Sequence, residues 1–193
     1  GMREMSSQER DQIAGIAASG LAAMMDYGRG ESHRKRVAIL KKAIELQGSV
    51  DGAGLDQLRE TISRPDPELI AAVGDLTRHF ATLGEDLDVL GIQRRSLVEG
   101  GGEPLDVASM LEPRDGRARL AIISAHALGD DAALQLFVSR IMVDLARMVR
   151  RTPRPNLHAV AFFDEADKYI PANSNPATKD PMFDLLRRAR SGG

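Results

Sequence analysis

The chain has 193 residues, with 26 Lys and Arg against 28 Asp and Glu and a formal net charge of −2. That length fits one ordinary domain or two small ones, and the charge balance excludes a wholesale nucleic-acid coat or a polybasic membrane binder. The sequence lacks cysteine and any run of about 18 apolar residues, which excludes disulfide scaffolds, thiolate zinc sites, cysteine catalysis and a membrane span, and suits the reducing cytoplasm expected here.

With only five Phe, two Tyr and no Trp, the core must come from aliphatic side chains and Met, a composition that favours helices. Residues 1–98 show that pattern as an all-helical module. Ile13, Ile16, Ala17, Leu21, Met24 and Met25 recur at the spacing of one helix face, and Tyr27-Gly28-Arg29-Gly30 ends it. A second helix is predicted over 32–47, with the basic run Arg34-Lys35-Arg36 and Lys41-Lys42 mainly off its inward face. Ser49 to Gly54 marks a break, and Leu55, Leu58 and Ile62 a short third helix. Asp66-Pro67-Glu68 starts another, combining an N-cap carboxylate with Pro at the first helical position. It is predicted to run through Leu69, Ile70, Val73, Leu76 and Phe80 and to bend or break near Gly84.

Glu99-Gly100-Gly101-Gly102-Glu103-Pro104 is a hinge opening a second region, 99–193. Arg119 to Ser124 and Leu157 to Phe163 are short apolar runs with β-branched and aromatic residues, predicted as buried strands. Between them, Asp130 and Asp131 open a long helix to about Arg150, ended by Pro153 and Pro155. Strand, crossover helix and strand make a βαβ unit, so the expected fold of this region is part of an α/β domain. Asp180-Pro181 starts a last helix through Arg190.

The informative stretch is Ala159-Val160-Ala161-Phe162-Phe163-Asp164-Glu165-Ala166-Asp167. An apolar strand ending in Asp-Glu matches the acidic nucleotide-site motif called Walker B, at the sheet edge where ligands sit. In that chemistry Asp164 holds Mg²⁺ through water, and Glu165 orients or deprotonates the water that attacks the γ-phosphate of ATP. The same pair serves equally to cap a following turn. No Gly-Lys dipeptide occurs anywhere, so no phosphate loop of the Gly-x-x-x-x-Gly-Lys-[Ser/Thr] type can be drawn. Arg147, Arg150, Arg151 and Arg154, and the basic run of the second helix, are candidates for phosphate contacts with DNA or for solvated helix faces. His33, His79, His126 and His158 are scattered without metal-ligand spacing.

Phe162 to Ala172, Asn175 to Pro181 and Leu185-Leu186-Arg187-Arg188-Ala189-Arg190-Ser191-Gly192 together resemble the HerA/FtsK group of P-loop ATPases, over roughly 103–193. The resemblance implies an α/β fragment of a RecA-like P-loop NTPase core preceded by a helical insertion. It implies a hexameric ring that uses ATP and Mg²⁺ to move along double-stranded DNA, and a chain that is inactive without its phosphate loop. It assigns Arg190, with Arg187 and Arg188 as weaker matches, to the neighbouring subunit's ATP as an arginine finger. Asp164-Glu165-Ala166-Asp167 also spells the signature of DEAD-box RNA helicases. Those enzymes carry their phosphate loop upstream, at a place that here falls in the helical half. A reading from another class makes the helical half a non-catalytic adaptor, which docks a nuclease or other protein partner.

Overall fold

The computed structural model describes residues 6–28, 30–47, 54–93, 105–169 and 176–192, with residues 127 and 190–192 described as backbone. The chain divides into two compact units, Gly1–Pro104 and Leu105–Gly193. Most of the break expected over Ser49 to Gly54, and the whole hinge at Gly100 to Gly102, lie outside the described residues. No helix among the described residues is long and apolar enough to cross a membrane.

The first unit is helical. Helix α1 (Ser7–Met24) is opened by a reciprocal cap: the Ser6 hydroxyl accepts the Glu9 N–H at 3.3 Å, and the Glu9 carboxylate accepts the Ser6 N–H at 3.0 Å. It packs along α2 (Glu31–Gln47), while α3 (Gly54–Ser63) lies along α5 (Phe80–Gln93) and α4 (Pro67–Val73) against α2. Asp66 caps α4 by accepting the Leu69 N–H at 2.7 Å, with Pro67 in the first turn. Ile39, Leu40, Ile62, Leu69, Leu83 and Leu87 fill the core. The helix begun at Pro67 does not reach Gly84 before breaking. It stops at Gly74, whose φ of +53° is a left-handed conformation that glycine adopts without a Cβ clash, and a 3-10 turn (Gly74–His79) leads into α5. Gly84 lies within α5, against Ile62 and Ser63 of α3.

The second unit is built on α7 (Asp131–Arg151), capped by Asp130 accepting the Ala133 N–H at 2.8 Å. Helix α9 (Lys179–Gly192) packs along it, with α6 (Val107–Leu111) and the one-turn α8 (Ala166–Tyr169) also against it. Val138, Met142, Leu145, Met182 and Leu185 form its core. The expected α/β fragment of a RecA-like core is not what this chain forms. Among the described residues there is no β-strand, and the one β pairing is an isolated bridge between Arg114 and Arg117. That bridge closes a tight turn in which Asp115 and Gly116 both have positive φ. Residues 119–124 and 157–163 carry no ladder and, Phe163 apart, turn their large side chains outward: Leu120 and Ile122 are each 83% exposed, Val160 74% and Phe162 86%. Apolar, β-branched composition favours strands only when a neighbour pairs the backbone and covers a face, and neither run has that neighbour here.

Candidate functional site

Asp164 and Glu165 end the extended run 157–163, and both are exposed. The turn that carries them is fixed from both sides. Phe163 packs against the core of the second unit, and its ring meets Tyr169 edge-on at 6.4 Å between centroids. Downstream, the buried Thr178 hydroxyl donates to the Tyr169 carbonyl, and Gln135 of α7 donates from Nε2 to the Lys168 carbonyl at 3.3 Å. Between these anchors Glu165 has φ +53°, a left-handed backbone that costs a non-glycine residue about 1 kcal/mol or more. Asp164 offsets part of that cost by accepting the Glu165 N–H on Oδ1 at 2.9 Å.

Glu165 in turn accepts from Lys168 Nζ at 2.5 Å, and this hydrogen-bonded carboxylate raises the Lys168 pKa above its ordinary value. Both partners are largely exposed, so the pair orients the carboxylate more than it stabilises the fold. Among the described residues no group of three or more His, Cys, Asp or Glu is placed to hold a metal ion. Asp164 offers a single carboxylate, which is enough for a hydrated Mg²⁺ whose other ligands are water and phosphate oxygens. The donor set therefore fits that ion and does not fit an all-protein metal cage.

The arginines lie elsewhere. Arg187 and Arg188 each donate to Asp184 at 2.8 Å. Burial raises the Asp184 pKa, but the two guanidinium groups outweigh it and hold the carboxyl below its ordinary value. The backbone of Arg190 continues the same helix, and its side chain lies outside the described residues, as do residues 170–175 of the quoted match. Arg147 pairs with Asp144 at 3.4 Å, whereas Arg151 and Arg154 are exposed. In α2, Lys35 pairs with Glu31, Lys41 with Asp11, and Lys42 with Glu45 at 3.1 Å.

One constellation has no signal in the sequence. Arg36, at 11% side-chain exposure, turns inward to pair with Asp86 and lies over the Tyr27 ring, 4.5 Å from its centroid. The Tyr27 hydroxyl donates to the same carboxylate, and burial with that hydrogen bond pushes the phenol pKa far up. His33 stacks on Tyr27 at 4.8 Å. A phenol held neutral in this way is a structural crosslink, not an activated nucleophile. No family model, no curated protein and no solved structure matches the chain.

Proposed function

We propose that the chain supplies the acidic pair of an ATP-hydrolysing motor of the kind its resemblance to the HerA/FtsK group implies. The observation that carries this reading is the turn at Asp164-Glu165. Two adjacent exposed carboxylates follow an extended apolar run, and the second is held in a left-handed conformation by contacts on both sides. Local strain retained by its surroundings concentrates at functional sites.

In this mechanism Asp164 would hold hydrated Mg²⁺, which would supply neutralisation of charge on the phosphate oxygens. Glu165 accepts a hydrogen bond from the attacking water and takes its proton as the water adds to the γ-phosphorus and the bond to the β–γ bridging oxygen breaks, releasing ADP, so its carboxylate must be free of Lys168 when substrate is present. Arg190 places a guanidinium beside the phosphoryl oxygens of the adjacent subunit's nucleotide, within a homo-oligomeric ring acting on double-stranded DNA in the cytoplasm. The phosphates themselves are cradled by a loop that these residues do not contain, since no Gly-Lys occurs.

In the product of the complete reading frame, Glu165→Gln should lower ATP turnover by a factor of about a hundred or more, with nucleotide binding retained. Turnover unchanged by that substitution refutes the assignment. A second reading, the adaptor, draws on Val89 and Ile92, one helical turn apart on α5 and exposed at 50% and 79%. A phosphate loop encoded upstream of Met2 favours the motor, and a reading frame without one favours the adaptor.

A further inference from the structure

The run Leu157-His158-Ala159-Val160-Ala161-Phe162-Phe163 is extended, exposes Leu157, Val160, Ala161 and Phe162, and is free of Asp, Glu, Lys, Arg, Gly and Pro. Among the described residues no backbone hydrogen bond joins it to another part of the chain. Seven uncharged residues, with Val160, Phe162 and Phe163 β-prone and the backbone donors and acceptors open, are a template for pairing with another strand.

The flanking charges select what pairs with it. Arg151 and Arg154 precede the run, and Asp164, Glu165 and Asp167 follow it. Two copies aligned parallel would set arginine beside arginine and carboxylate beside carboxylate, which is unfavourable on adjacent strands. Two copies aligned antiparallel bring the basic end of each against the acidic end of the other. The register that overlays the whole apolar run places Leu157 opposite Phe163 and Val160 opposite itself. Arg154 then lies diagonal to the opposing Asp164, within reach of a long side chain. Pro155, which has no N–H, falls at the start of the ladder, where proline is tolerated. We propose that residues 157–163 pair antiparallel with the same residues of a second copy of this chain, forming a two-fold dimer in which each Arg154 lies diagonal to Asp164 of the partner subunit. The contact is self-complementary, as a two-fold interface must be. It rests on exposure and charge order alone, so its failure and the failure of the nucleotide reading are separate results.

Because the chain contains no cysteine, a single introduced thiol reports the register directly. Residues directly opposite in an antiparallel pair have Cα atoms about 4.5–5.5 Å apart, within disulfide range. Under mild oxidation Val160→Cys should convert to a single covalent dimer, at least about tenfold faster than Ile92→Cys, whose equally accessible side chain lies on α5. In sedimentation velocity the unmodified chain should show a concentration-dependent monomer–dimer equilibrium. Val160→Pro combined with Ala161→Pro, which removes a ladder donor whichever of the two successive N–H groups points at the partner, should abolish the dimer and keep the helical circular dichroism. Arg154→Glu should weaken dimerisation about tenfold, and adding Asp164→Arg should restore it. The proposal is overturned by a chain that stays monomeric up to roughly 100 µM, by open-ended oligomers in place of a dimer, by Val160→Cys crosslinking no faster than the control, or by full dimerisation of the variant with both Val160→Pro and Ala161→Pro.

Discussion

Arg36 shows what a single residue can conceal. In sequence it belongs to the basic run Arg34-Lys35-Arg36, yet in the fold it is the inward member, joined to Asp86 and lying over Tyr27. Asp86 is fifty positions downstream, and no spacing rule in the sequence links the two. The same region holds His79, whose Nε2 is buried without a hydrogen-bond partner. Burial, then the cations Arg78, Lys35 and Arg36, lower the His79 pKa from its ordinary value of 6.5. The folded unit therefore prefers the neutral imidazole. Above pH 6.5 that preference costs nothing, and below it the unfolded chain takes up the proton first, so stability falls on acidification. Urea unfolding of the chain should show a lower midpoint at pH 5.5 than at pH 7.5, and His79→Gln should shrink the difference.

At the scale of elements, helix starts were legible and strand formation was not. Asp66-Pro67 and Asp130-Asp131 carry their own caps, because the bond from a side-chain oxygen to the backbone two or three residues on is local. The two apolar runs read as strands fail for the opposite reason: a strand is defined by a backbone ladder to another segment, and neither run finds one among the described residues. The stop at Gly74 instead of Gly84 is a subtler case, since both glycines are compatible with a helix end and only the φ of +53° distinguishes them. The acidic turn depends on Thr178, fully buried and donating to the Tyr169 carbonyl across the residues that separate them. Thr178→Val keeps the shape and removes the donor, so it should cost about 1–3 kcal/mol. Hydrogen exchange should speed up at the Glu165 and Lys168 amides, a local effect that a uniformly destabilised fold would not single out.

At the scale of the whole molecule the chain is two units, each with a buried core of its own. The first contains seven large aliphatic side chains with at most 1% exposure, from Ile39 to Leu90, closed over by helices whose caps are internal to it. A chain ending at Pro104 should consequently unfold in one cooperative transition with helical circular dichroism, and a featureless, non-cooperative profile would show that its core needs the second unit. The second unit keeps its apolar runs outside its core, with Leu120, Ile122, Leu157, Val160 and Phe162 all exposed. Such surface is the mark of an interaction site, and on this scale it outweighs the isolated exposed side chains of the first unit.

The sequence by itself determined the helices: their periodicity, their caps and the apolar faces that α1, α2, α3 and α7 bury are all set by residues within a few positions of one another. It also placed Asp164 and Glu165 at the end of an apolar run, since that is a statement about neighbours. Only the tertiary structure decided that the run stays unpaired, that Glu165 takes a left-handed backbone between Phe163 and Tyr169, and that Arg36 belongs to Asp86. Helical hydrogen bonds close within four residues, whereas ladders, buried ion pairs and clamped turns require partners distant in the chain.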